Sequence, residues 1–132
     1  MKMAAPGFAL FFAALVGWVA IIWAQGTPAA ATPAKVDFVK DIQPIFEKSC
    51  YSCHGEKMQM GGLRLDSRQL ALGGKSIVPG NSSDSHLYQR VAGLGDQPRM
   101  PMGGEALPAA QIALIQAWID QGSEWPEGVG VA

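Results

Sequence analysis

Cys50-Tyr51-Ser52-Cys53-His54 is the stretch of sequence that decides the fold of this chain. Two cysteines separated by two residues and followed directly by a histidine form the attachment signature of c-type haem. One turn of helix can present both thiols along one edge of the porphyrin, with the adjacent imidazole as the proximal iron ligand. These are the only 2 cysteines in the chain, so none is left over. The motif therefore predicts one covalent haem c.

Three other uses of the cysteines compete with haem attachment. A thioredoxin-like redox pair requires a βαβ context, and the sequence contains no strand pattern of useful length. A structural zinc ion requires four ligands, and the only Cys and His present are Cys50, Cys53, His54 and His86, two of them adjacent. A plain disulfide would leave His54 unexplained. Haem c is the interpretation that uses the whole motif.

The first quarter of the 132-residue chain differs in composition from the rest. Residues 3–34 carry no charge, and residues 8–24 form an unbroken run of apolar and small side chains. At roughly 1.5 Å per residue this run spans about 25 Å, slightly less than the ~30 Å hydrocarbon core, and its flanks can complete the crossing. We therefore expect residues 1–24 to be a transmembrane helix with its N-terminus in the cytoplasm, where Lys2 would lie. A cleaved secretory signal peptide is the alternative.

The remaining chain divides into a linker and one domain. Residues 25–35 are rich in Ala, Pro and Thr, and as an extended spacer they would reach about 34 Å. Residues 36–127 are the predicted haem domain, anchored to the inner membrane and placed in the periplasm or otherwise outside the cytoplasm. After Lys2 the chain holds all 11 of its acidic residues and all but one of its 10 basic residues. Without a basic stripe, nucleic-acid binding is not expected.

The haem domain is predicted to be all-α. Apolar residues recur at helical spacing over residues 36–50, with Asp37 as the N-cap and with a kink or a fresh helix start at Pro44. Further helices are predicted over residues 67–72, from 82–84 to about 92, and over 108–122.

A six-coordinate iron needs a second axial ligand. The candidates are Met58, Met60, Met100, Met102 and His86. Met58 and Met60 follow His54 so closely that reaching the opposite face of the haem is sterically difficult. Met100 lies in a loop between two helices, and Pro101 favours an extended backbone there, which helps to aim the thioether inward. Met100 is therefore the favoured ligand.

Other candidate site residues have competing structural roles. Met102 lies in the same loop but precedes two glycines, and His86 has polar neighbours at helical spacing, which suit a solvated or capping histidine. Trp118 could donate a hydrogen bond to a haem propionate, pack in the core, or do both. The arginines that could pair with propionates are Arg64, Arg68 and Arg99, at least two of which are expected to be solvated.

Several motifs in order carry a family resemblance. They are Phe38-x-x-Asp41-Ile42-x-Pro44-Ile45-Phe46, the haem signature, Gly61-Gly62-Leu63-x-Leu65-Asp66, Pro79-Gly80, Ser85-x-Leu87, Arg99-Met100-Pro101 and Trp118-Ile119-x-x-Gly122-x-x-Trp125-Pro126. With them, about residues 36–126 resemble the planctomycete-type cytochrome c domain, one of the small class I monohaem cytochromes c. The resemblance implies an all-α class I fold in which the N- and C-terminal helices cross around one covalent haem.

The resemblance also implies the roles of individual residues. Cys50 and Cys53 would form the thioether links, with His54 as proximal and Met100 as distal ligand. The family usually has Met-Pro-Pro, and Met102 replaces its second proline, which leaves Met102 open as the ligand. Phe46, four residues before the first cysteine, would pack against the last helix near Trp118.

The function implied is one-electron transfer, without enzymatic activity. A membrane electron-transfer complex, such as an oxidase, a dehydrogenase or a photosynthetic reaction centre, is the expected partner, and the membrane itself would be contacted through the N-terminal helix. The alternatives are a five-coordinate or bis-histidine haem protein, such as a gas sensor or a peroxidase-like enzyme, and a rigid haem subunit of a larger complex.

Overall fold

The computed structural model describes residues 34–130. The first helical stretch begins with a π-helical segment, Phe38–Ile42, and continues as α1, Gln43–Ser49. Asp37 caps its start: the Asp37 carboxylate accepts a hydrogen bond from the Lys40 amide at 2.9 Å. Pro44 lies at the beginning of α1, where its missing N–H costs no helical hydrogen bond. The predicted cap is confirmed. At Pro44 a kink or a fresh start was predicted, and the structure shows a change from π-helix to α-helix one residue before it.

Three more α-helices and one short turn complete the described part of the chain. They are a 3₁₀ turn at Met60–Gly62, α2 at Arg68–Ala71, α3 at His86–Ala92 and α4 at Ala109–Asp120. Gly93 ends α3 in the left-handed region at φ 69°, as predicted. The start of α3 differs from the prediction, because Ser82–Asp84 form a turn and the helix begins only at residue 86. Within residues 34–130 there is no strand, only two isolated bridges.

An aromatic cluster joins the first helical stretch to α4. The ring of Phe38 stacks on Trp125 with centroids 3.9 Å apart, and it lies 5.6 Å from Trp118. Phe46 meets Trp118 edge-on at 6.0 Å, which confirms the packing that the family resemblance implied. All four side chains are buried. The domain is thus helical, and its first and last helices pack against each other.

The structure contradicts the prediction of a transmembrane helix ahead of this domain. Residues 1–24 lie outside the described residues, and no helix within residues 34–130 is long and apolar enough to cross a membrane. The longest of them, α4, has 12 residues. It therefore spans about 18 Å against the ~30 Å of a hydrocarbon core. The predicted inner-membrane location, with a cytoplasmic N-terminus, was based on the N-terminal helix and is corrected with it.

Candidate functional site

The haem signature is a continuation of α1. The Cys50 amide donates to the Phe46 carbonyl at 2.8 Å, and the amides of Cys53 and His54 both donate to the Cys50 carbonyl, at 3.1 and 2.9 Å. The His54 carbonyl in turn accepts from the Leu65 amide at 2.8 Å. These bonds wind the motif into one helical turn, so that both cysteines and the histidine face one cavity.

Neither cysteine has the environment of a redox pair or a zinc site. Both thiols are free. Burial, and secondly the neighbouring Cys53, raise the pKa of Cys50 to about 12. Reactive thiols of redox pairs have a lowered pKa instead. Within residues 34–130 no group of three or more His, Cys, Asp or Glu side chains could hold a metal ion. Two cysteines that line one cavity, one of them buried, suit covalent attachment to a cofactor.

The cavity has a volume of about 650 Å³, within the range of cofactor pockets. Four stretches of chain form most of its walls: residues 49–54, residues 60–65, the inner face of α3, and residues 100–107; Ser76 also lines it. Its larger aliphatic lining residues are Leu63, Leu65, Leu87, Val91 and Leu107. Four of these five side chains also belong to the buried core, so part of the cavity wall is formed by the core itself.

His54 has an unsatisfied ring nitrogen. Its Nδ1 is buried and has no hydrogen-bond partner among the described residues. An unpaired buried polar atom is costly, and histidines that bind metal normally direct one nitrogen to the metal and the other to a hydrogen-bond acceptor. A haem c requires two thiols for its links to the porphyrin, and an imidazole and a thioether suit its iron; all four groups line this cavity. The residues present therefore fit this cofactor.

The structure separates the candidate methionines by burial and position. Met100 lines the cavity and is half-buried against the core, whereas Met102 also lines it but is 58% exposed. Met58 is exposed and is not among the cavity-lining residues. Met60 does line the cavity, because its amide donates to the Cys53 carbonyl at 3.0 Å and turns the chain back toward the haem signature. The sequence argument against Met60 did not include this turn.

His86 and Arg90 line the cavity from α3. His86 is exposed at the first residue of the helix, and Arg90 lies one turn further along. Sequence reasoning considered His86 but missed Arg90. The signal was available, because residues 86, 87, 90 and 91 have the spacing of a single helix face, and the apolar pair Leu87 and Val91 marks that face as the inner one.

The other residues predicted to meet the haem lie away from the cavity lining. Trp118 is buried in the aromatic cluster, and its indole N–H donates to the Glu124 carbonyl at 2.9 Å. A bond from Trp118 to a propionate would require the N–H to leave that carbonyl. Arg64 is paired with Asp66 at 2.6 Å, and Arg99 donates to the Val91 carbonyl at 3.2 Å.

Comparison with protein families finds a match for the part of the chain that contains the haem signature. Residues 50–102 match the family model described as Planctomycete cytochrome C. The match begins at the first cysteine of the haem signature and extends beyond Met100, which confirms the resemblance for this part of the chain. No curated protein and no solved structure matches the chain. A cytochrome c domain indicates a haem-binding electron carrier with a covalently bound haem.

Proposed function

We propose, from the premise that residues 50–102 form part of a planctomycete cytochrome c domain, that this protein carries one electron at a time on a single haem c. Cys50 and Cys53 would hold the porphyrin, and His54 and Met100 would bind the iron. One observation carries the proposal: all four of these side chains line the same cavity.

The bound haem supplies a one-electron couple at its iron. The protein residues would set the properties of that couple. The Met100 thioether would favour the ferrous state and so raise the reduction potential, and the aliphatic residues of the cavity wall would limit the access of water. If His54 and Met100 both bound the iron, no iron site would be left for a substrate. We therefore propose an electron carrier rather than an enzyme.

A bis-histidine haem protein is the second candidate. His86 also lines the cavity, and bis-histidine ligation would give a lower reduction potential than His/Met ligation. The exposure of His86 at the start of α3 favours Met100, whose side chain is half-buried against the core. The electron-transfer partner that we propose is a membrane redox complex, such as an oxidase, a dehydrogenase or a photosynthetic reaction centre.

Optical spectra of two methionine variants test the ligand assignment. In the ferric protein a sulfur–iron bond gives a weak far-red charge-transfer band. We expect Met100→Ala to remove this band and to lower the reduction potential, because the soft sulfur ligand is lost. Met102→Ala is the matched control, since Met102 lines the same cavity but is mostly exposed, and it should leave both readouts unchanged.

Two results would contradict the proposal. Loss of the band in Met102→Ala but not in Met100→Ala would make Met102 the ligand. A wild-type protein with no far-red band, and with either a high-spin or a bis-histidine spectrum, would rule out the His/Met electron carrier and favour the second candidate or a five-coordinate sensor or peroxidase-like enzyme.

A further inference from the structure

Arg90 makes two hydrogen bonds to the Met100 segment, by which we mean residues 94–100. Its Nε donates to the Pro98 carbonyl at 2.5 Å, and its own carbonyl accepts from the Met100 amide at 2.9 Å. The side chain of Arg90 thus binds Pro98, two residues before the proposed sixth ligand. Its main chain binds that ligand residue, Met100.

The Met100 segment has little else to hold it in place. Residues 93–99 are all exposed, so the chain between α3 and Met100 buries little apolar surface. Its other bond to the inner part of α3 is from Arg99 Nε to the Val91 carbonyl, at 3.2 Å. Met100 itself packs against the core, but the residues that lead to it do not, so the hydrogen bonds of Arg90 help to fix where Met100 lies.

Among the residues that line the cavity, Arg90 is the only lysine or arginine, and its side chain is permanently charged. Within residues 34–130 the ion pairs are Lys35–Glu124 and Arg64–Asp66, neither of which involves Arg90. Its side chain makes one hydrogen bond, through Nε, so the terminal nitrogens of the guanidinium have N–H groups to donate. The cavity lining contains no carboxylate. A haem brings two carboxylates, which a guanidinium binds in a charge-assisted geometry.

We propose that Arg90 is a positioning residue for the sixth ligand, with Nε holding the Met100 segment while the terminal nitrogens bind a haem carboxylate. The inference depends on the proposed function, since it requires a haem bound by Met100. It adds that one guanidinium links cofactor binding to the placement of the axial methionine. A lysine cannot replace Arg90, because its single ammonium group cannot bind the Pro98 carbonyl and a haem carboxylate at the spacing that the guanidinium provides.

Three variants of the haem-loaded protein test the inference. Arg90→Gln removes the charge, Arg90→Lys keeps the charge without the fork, and Arg68→Gln removes an exposed cation outside the cavity lining as the control. The readouts are the affinity of the ferric protein for imidazole, which competes with Met100, and the reduction potential. We expect both Arg90 variants to bind imidazole about tenfold more tightly, as loss of a hydrogen bond from a charged donor implies. Arg90→Gln should also lower the reduction potential, because a positive charge near the iron disfavours the ferric state.

The outcomes separate the inference from the proposed function. If the wild-type protein shows the far-red band but both Arg90 variants match Arg68→Gln in imidazole affinity, the inference is wrong and the function stands. If the wild-type protein lacks that band, the proposed function fails first. Should Arg90→Gln not yield holoprotein, Arg90→Lys decides alone, with unchanged imidazole affinity overturning the inference.

Discussion

The side chain of Phe38 should make a large contribution to the stability of the domain. Its side chain is 2% exposed. It contacts three other aromatic rings: a stacked contact with Trp125 at 3.9 Å, a tilted contact with Trp118 at 5.6 Å and an edge contact with Phe46 at 6.2 Å. Two of these partners belong to the C-terminal part of the chain. Phe38→Ala therefore removes two of the aromatic contacts that join the first helical stretch to the C-terminal part of the domain.

The size of the effect follows from the burial and the stacking. Truncating a fully buried phenylalanine to alanine costs about 3–5 kcal/mol, including the cavity left behind. The aromatic pairing with Trp125 accounts for about 0.5–1.5 kcal/mol of that loss. A domain of this size has about 5–15 kcal/mol of total stability, so a loss of about 3–5 kcal/mol is roughly a fifth of it or more.

Guanidinium unfolding of the haem-loaded protein measures this loss. Val39→Ala is the matched control, because Val39 is the next residue along the chain but is 45% exposed, and its change should stay within about 0.5 kcal/mol. A double-mutant cycle with Trp125→Leu isolates the stacking contribution. A loss below about 1.5 kcal/mol in Phe38→Ala would refute the argument that the aromatic cluster holds the two ends of the domain together.

Two further predictions concern the loops around the cavity. Arg64 lowers the pKa of Asp66 below its usual 3.8, so the stabilisation from this pair is complete above that pH and is lost as the pH falls through the lowered pKa of the folded state. In urea unfolding Asp66→Asn should therefore be less stable than wild type by about 2 kcal/mol at neutral pH, and the difference should shrink in strong acid; a difference independent of pH would contradict this. Gly93→Ala should cost about 1–2 kcal/mol in thermal unfolding, because φ is 69° and the new Cβ would lie 3.2 Å from Arg99 Cδ. Gly73→Ala is its control, with no positive φ and 3.8 Å to the nearest atom, and an equal loss in both would argue against the backbone explanation.

The chemistry of the site could be predicted from the sequence because it is encoded locally. The order and spacing of Cys50, Cys53 and His54 are fixed by the covalent chain. One helical turn then places the three side chains on the same face. The Asp37 cap, the helix start near Pro44 and the stop at Gly93 are likewise set by the stereochemistry of single residues. The transmembrane helix was inferred from the length, the hydropathy and the charge distribution of residues 1–24, which describe the composition of a segment and not its fold.

What only the tertiary structure decided are the contacts between residues distant along the chain. Met60 reaches the cavity through a bond back to Cys53, and Trp118 directs its N–H to Glu124 rather than toward the cavity. Arg90 acquires its proposed role only because the chain after α3 folds back onto that helix and places the Pro98 carbonyl beside it. Periodicity can assign a residue to the inner face of a helix, but which backbone groups and side chains it meets there depends on how the loops close over that face.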